Sequence, residues 1–195
     1  HADLSKIATY HCNDMVVDTQ GRAYVGNFGS DIESGNKLVK ANLAFVDTDG
    51  SVSVAAEDLA FPNGAVITPN GKTLIIGETF GRCLTAFDIA DDGGLSNRRI
   101  WAILHPHIPD GICLDAEGAI WLADPANNCV VRVAEGGDVL QKIEMGNGTF
   151  ACMLGGEDRK TLFVCTAAGS GSKAEERLTA KIEACEVSVP GVGCP

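Results

Sequence analysis

Apolar residues in this chain fall in short runs broken by polar turns, and the arrangement recurs. Met15-Val16-Val17 precedes the polar turn Thr19-Gln20-Gly21-Arg22, and Ala65-Val66-Ile67 precedes Pro69-Asn70-Gly71-Lys72. Ile112-Cys113-Leu114 leads to Ala116-Glu117-Gly118, and Cys152-Met153-Leu154 to Glu157-Asp158-Arg159-Lys160. A second apolar run then follows, as in Thr73-Leu74-Ile75-Ile76 or Ala119-Ile120-Trp121-Leu122. Two apolar runs around a turn holding Gly or Asn predict a β-hairpin, because such turns need the positive φ those residues accept. Residues 38–47, 51–54, 83–89, 129–133 and 139–143 read as further strands, giving about four strands per repeat. No sustained 3.6-residue apolar stripe occurs. Residues 173–178 offer one helical turn, too short to hold as a helix alone.

The recurring phrase places a polar residue at its head. Asn13, Asn63 and Asp110 open three copies; the fourth has Ala151 there, at steps of 50, 47 and 41 residues. A period in this range marks a repeat architecture, and four strands per period is the content of a propeller blade. The expected fold is all-β: a β-propeller of four-stranded antiparallel blades, about four of them in residues 1–195, read as one domain. Equivalent places in successive blades fall on one ring about the central channel. Two amide carbonyls and a carboxylate would then converge on the axis, a set suited to a hard divalent cation. Each Asn or Asp alone also fits a turn cap bonding its own backbone. Recurrence in register at three of four places favours the shared role.

Composition narrows the function. The net charge of −11, from 15 Lys+Arg against 26 Asp+Glu, argues against nucleic acid, whose phosphates need clustered cations. Arg98-Arg99 reads as a solvated strand edge. No run of about 18 apolar residues crosses a membrane. The eight cysteines show no CxxC and no zinc-ribbon spacing. Cys113, Cys129, Cys152 and Cys165 sit in apolar runs and read as small buried hydrophobes of a cytoplasmic protein. Cys185 and Cys194 could pair in an oxidising compartment. No Gly-x-Ser-x-Gly elbow supports serine catalysis. Gly169-Ser170-Gly171-Ser172 has the composition of a flexible loop, and His105 and His107 read as exposed loop residues.

Several segments resemble the gluconolactonase/regucalcin (senescence marker protein) family: His11-Cys12-Asn13-Asp14 with Gly21-Arg22, Phe61-Pro62-Asn63-Gly64, Leu95-Ser96-Asn97-Arg98-Arg99, residues 108–121 around Pro109-Asp110-Gly111, and residues 155–164. The resemblance implies a six-bladed propeller with one divalent cation in its channel (Ca²⁺, Zn²⁺, Mn²⁺ or Mg²⁺) that hydrolyses sugar lactones or related esters. By position, Asn63 and Asp110 match metal ligands, and Asn13 matches a contact to substrate or to the metal's water. His11 stands where relatives often carry a substrate-binding Arg, and Asp31 falls near an acidic residue that contacts substrate hydroxyls. The family's third ligand is a Glu in a first blade that this chain does not contain. An N-terminally incomplete ring, self-association through open blade edges and weakened metal affinity are therefore expected.

The expected function is metal-dependent hydrolysis of a small lactone or ester. In it Asp110 holds the cation and acts as general base, while Asn13, His11 and Asp31 contact substrate. A metal- or ligand-binding propeller without turnover, or a scaffold using the propeller face, would share the same fold.

Overall fold

The computed structural model describes residues 1–31, 34–171 and 178–193. Among them no helix forms; fifteen strands follow one another as antiparallel meanders. The first blade holds β1 (Cys12–Val17), β2 (Ala23–Asn27), β3 (Ala41–Val46) and β4 (Val52–Leu59). The second holds β5 (Pro62–Ile67), β6 (Thr73–Glu78), β7 (Cys83–Ile89) and β8 (Leu95–Ile103). The third holds β9 (Ile112–Leu114), β10 (Ile120–Asp124), β11 (Cys129–Val133) and β12 (Val139–Glu144). The fourth has three strands among the described residues: β13 (Gly148–Gly155), β14 (Thr161–Ala167) and β15 (Lys181–Glu186). The β-propeller expected from the apolar pattern is the fold observed. The expected helical turn at 173–178 lies, but for Leu178, outside the described residues, as does Cys194.

The hairpin turns are capped by their own side chains. Asp18 Oδ1 accepts the backbone N–H groups of Gln20 and Arg22, and Asp115 Oδ1 those of Glu117 and Ala119. Asn70 and Asp158 accept from Lys72 and Lys160 in the same way. Turn capping in these hairpins therefore belongs to the turn residues, which leaves the polar residues at the heads of the inner strands free for something else.

Each inner strand carries a bulge near its start. Cys12 pairs with Asn27 but Met15 with Val25, so Asn13 and Asp14 together oppose Gly26. Asn63 and Gly64 likewise oppose Gly77. In the third blade Asp110 N–H donates to the Ala123 carbonyl while Ala123 N–H donates to that of Gly111. A bulge bends the strand and re-aims a side chain, and here it does so at the recurring polar place. The fourth blade corrects the alignment made from sequence. Its bulge falls between Thr149 and Ala151, and Gly111 N–H bonds Phe150 O just as Gly64 N–H bonds Asp110 O. Phe150, not Ala151, is the structural equivalent of Asp110.

The cores lie between blades. Val16, Tyr24, Leu43 and Phe45 of the first blade pack on Leu59, Leu74 and Ile76. Ile75, Leu84 and Trp101 meet Ile120, Leu122 and Val131, and Trp121 and Val130 meet Leu154, Leu162 and Val164. The outer face of the first blade is covered by Ile7, with Ala2 and Leu4 against Val25, Ala44 and Val46. Cys113, Cys129 and Cys152 are buried as expected. Cys165 is exposed instead, because it alternates with the buried Leu162, Val164 and Thr166 and points to the opposite face of β14. Residues 190–193 cross the end of the channel opposite the bulges, with Val192 N–H on Leu114 O and Ala116 N–H on Pro190 O. That crossing leaves the bulged end as the open mouth.

Inner strands approach closely enough to exclude a side chain. A Cβ on Gly64 would sit 2.5 Å from Ile112 N and 2.7 Å from Asp110 O; one on Gly111 would sit 2.8 Å from Ala151 Cα. Gly111→Ala should therefore lower unfolding stability in urea by about 1–3 kcal/mol. Gly146→Ala, facing open space, should stay within about 0.5 kcal/mol. Equal stabilities for the two variants would contradict the packing.

Candidate cation and substrate site

Asn63 and Asp110 meet at the mouth of the channel. Asn63 is 5% exposed. Its Nδ2 donates to Thr79 Oγ1 at 3.1 Å, and Thr79 Oγ1 donates to the Pro109 carbonyl at 2.8 Å. The hydroxyl has a single proton, already spent on Pro109, so it can only accept from Asn63. That fixes the amide orientation and leaves Asn63 Oδ1 buried with no hydrogen-bond partner. An unpaired buried acceptor costs about 1–3 kcal/mol, a cost that a cation at Oδ1 would remove.

Asp110 adds the charge. Burial pushes its carboxyl up to about 7; the Asp14 carboxylate pushes the same way, while hydrogen bonds from the Asn63 side chain and Gly111 backbone oppose. Asp14 occupies the bulge place that Gly64 and Gly111 hold in the next two blades. Solvent reaches it, yet the concave mouth thins its hydration and raises its pKa too. Two carboxylates and a stranded amide oxygen form a hard-oxygen donor set, and the residues present fit a divalent cation. Asp14 was passed over in the sequence although the phrase marks it: an acid stands where two other copies have glycine.

Asn13, half-buried, donates from Nδ2 to Pro62 O at 3.4 Å, tying the first bulge to the residue before Asn63. His11 and Asp31 form a second group beside it. His11 is exposed and meets Tyr10 edge-on with ring centroids 4.2 Å apart. The Ser34 side chain, and after it the Ser34 backbone N–H, hold the Asp31 carboxyl below the usual range, with smaller contributions from Tyr10 and His11. Among the described residues no hydrogen bond or ion pair links His11 or Asp31 to Asp110.

A second polar ring, invisible as a motif, lies one strand further out. Asn27, Glu78 and Asp124 end the second strands of their blades, all buried. Asn27 accepts from Gly29 N–H and donates to Asn42 O. Glu78 accepts from Ala60 N–H, Thr85 Oγ1 and the Arg98 guanidinium. Arg98, expected at a solvated edge, also bonds the carbonyls of Glu57 and Asp58 and lies over the Phe87 ring. This clamp holds the segment before Asn63, where Asp58 and Phe61 adopt positive φ of 61° and 63°, a conformation that bulky residues enter at a cost.

Asp124 binds His107 Nδ1 at 2.7 Å and accepts from Asn127 through both its backbone N–H and its side chain. His107 is thus buried and paired, unlike the exposed loop residue expected, because Asp124 compensates its polar ring. His107, Asp124 and Cys129 bring N, O and S donor atoms within 4.8 Å of one another. The hydrogen bonds already filling Asp124 account for this set as a loop tether.

The fold is a β-propeller whose inner strands carry polar residues at their bulged heads. The chain belongs to the SMP-30/gluconolactonase/LRE-like family, whose sequence model matches residues 1–168. It is 29% identical to the pentonolactonase XacC of Haloferax volcanii over 82% of this chain and 54% of that protein. It is 28% identical to the regucalcin of Danio rerio, over 98% of this chain and 66% of that one. The structure of a calcium-binding protein, regucalcin, from Agrobacterium tumefaciens superposes with a TM-score of 0.75 at 21% identity, covering 93% of this chain and 62% of that one. The chain therefore spans between about half and two thirds of the length of these relatives.

Because the fold favours the neutral carboxyl of Asp110, the stability it contributes is present below its ordinary pKa of 3.8 and lost as pH rises through about 7. In chelator, the native chain should weaken over that window. Asp110→Asn should not, and it should be the more stable protein at pH 8 by on the order of 2 kcal/mol after allowance for solvent screening. Parallel stability–pH curves for the two proteins would show that Asp110 is not so placed.

Proposed function

We propose that the protein is a lactone hydrolase whose reaction takes place at the bulged mouth. The observation that carries this reading is the buried, unpartnered Oδ1 of Asn63, on a side chain whose amide also hydrogen-bonds Asp110. The similarity to a pentonolactonase supports the substrate class, small sugar lactones or related esters. The similarity to a calcium-binding regucalcin is in keeping with a divalent cation.

Asn63 Oδ1 and Asp110 would hold the cation, which when bound supplies Lewis-acid polarisation of the lactone carbonyl and a more acidic water. The remaining work falls to the chain. Asn13, fixed against Pro62, orients the water or the lactone. The water oxygen attacks the carbonyl carbon and its proton passes to a carboxylate. The ring C–O bond breaks, and the ring oxygen takes up a proton to give the hydroxy acid. Asp110 is the base that the sequence pointed to, a carboxylate that would hold the cation next to the water it deprotonates. Asp14 stands beside it as a second acceptor, and it places a second negative charge at the mouth where the family resemblance put a Glu in another blade. His11 and Asp31 bound the side of the mouth from which substrate hydroxyls would be met. Thr79 and the Glu78–Arg98 clamp act by positioning: they fix the amide face of Asn63.

Acid release from D-glucono-1,5-lactone, followed with and without Mn²⁺ or Ca²⁺, tests the reading. Turnover should need the cation and stop in chelator. Asp110→Ala should lower kcat by at least about a hundredfold while the circular dichroism stays native. Activity that survives either treatment would remove the cation or Asp110 from the mechanism.

Asn63→Ala should weaken cation binding by tenfold or more in calorimetric titration, on the order of the 1–3 kcal/mol that one buried donor is worth. Unchanged affinity would place the cation elsewhere.

A further inference from the structure

A row of aromatic rings borders the mouth. Phe28 lies 6.3 Å from Tyr10 and 4.5 Å from Phe61, and Phe61 meets Phe80 edge-on at 5.1 Å. The four rings come from four segments, and each segment is tied to the site. Tyr10 precedes His11; Phe28 N–H bonds His11 O; Phe61 stands two residues before Asn63; Phe80 follows Thr79, the residue that fixes the Asn63 amide. Thr79 N–H bonds Phe61 O and Phe80 N–H bonds Ala60 O, so the last two rings are pinned together by their backbones. Such offset and edge-on contacts are favourable aromatic geometries. Phe61 is buried in spite of its positive φ, whereas Phe80 leaves 47% of its surface exposed.

The fourth blade does not extend the row: Phe150 holds the register place of Asn13, Asn63 and Asp110, but it lines a separate cavity with Cys165, Thr166 and Ile182 on the flank of that blade. A polyhydroxylated ring seated against Phe28, Phe61 and Phe80 would face ring carbons there, and a hydroxyl buried on that side would lack a partner. The polar pair lies at the Tyr10 end, and the Asp31 carboxylate there already accepts from Ser34 N–H.

Resting on the hydrolase reading above, we propose that the lactone or ester taken by this site carries an apolar ring or alkyl substituent seated against Phe28, Phe61 and Phe80. Its carbonyl then lies toward Asn63 and Asp110. Phe80 is the specificity-determining residue, since its exposed face is surface that an apolar substituent can cover. A sugar lactone would bind without using it.

Binding separates this from the hydrolysis question. Two inert lactams serve as probes for calorimetry on the full chain: 6-pentylpiperidin-2-one, an alkyl δ-lactone isostere, and D-glucono-1,5-lactam. The alkyl lactam should bind about tenfold or more tighter, within the range one to a few methylenes confer in an apolar pocket. Phe80→Ala should weaken it by about tenfold and leave the glucono-lactam unchanged, and Phe80→Leu should restore most of the loss. Because Phe80 is half-exposed, both variants should fold, which circular dichroism checks. Tighter glucono-lactam binding, equal losses for both lactams, or no binding of the alkyl lactam would each overturn the proposal. Alkyl-lactam binding without turnover of any lactone would sink the hydrolase reading and leave the apolar subsite standing. Glucono-lactone turnover without alkyl-lactam binding would do the reverse.

Discussion

The close approach of neighbouring inner strands constrains everything else in this molecule. Where β5 runs beside β9, and β9 beside β13, backbone meets backbone with no room for a Cβ at Gly64 or Gly111. A regular ladder would carry the residues at the strand heads alternately into the two blade faces. The bulge breaks that alternation by one residue and turns the polar side chain toward the channel. One local distortion, repeated blade after blade, thus creates both the tight ring and the polar mouth. The small residues opposite, Gly26, Gly77 and Ala123, belong to the same solution.

A polar mouth built this way must be held still, and the second ring of buried polar residues does that. Asn27, Glu78 and Asp124 each collect hydrogen bonds from the loops of their own blade. Glu78 reaches towards the site itself: through Ala60 and Arg98 it holds the segment from which Phe61 and Asn63 project. The price of burying such a carboxylate is met by three donors, as a buried charge requires. Strain at Asp58 and Phe61 persists because this clamp over-determines their backbone. The same clamp therefore fixes the amide and the aromatic wall together. Chemistry and specificity depend on one short segment.

Much of this was legible in the sequence because it is written locally. Apolar runs, turn glycines and the repeat step predict strands, hairpins and blades from residues a few places apart. The polar heads Asn13, Asn63 and Asp110 were readable because the phrase repeats. What escaped is set by contacts distant along the chain. His107 looked like an exposed loop residue, but Asp124, seventeen positions on, buries it. Arg98 is exposed on an edge strand as expected, but the partners it clamps, twenty to forty-one residues away, were not readable. In the fourth blade, matching the polar turns shifted the alignment by one and hid Phe150 at the axial place. The last pair before the turn there, Gly155 with Thr161, lies five residues beyond Phe150, whereas Leu114, paired with Ile120, lies four beyond Asp110, so the fourth inner strand is one residue longer between bulge and turn. The aromatic row has no sequence signature, since four separate segments supply it.

The charge balance at the mouth gives the account its most direct test. Asp14 and Asp110 repel, and Asn63 Oδ1 is stranded, so the bare arrangement is costly and a cation would repair all three at once. Anomalous diffraction from crystals of the chain grown with Mn²⁺ would locate the ion. A peak within coordination distance of both Asn63 Oδ1 and an Asp110 carboxylate oxygen is expected. A peak only at His107, Asp124 and Cys129, or none at the mouth with Mn²⁺ in excess, would contradict it.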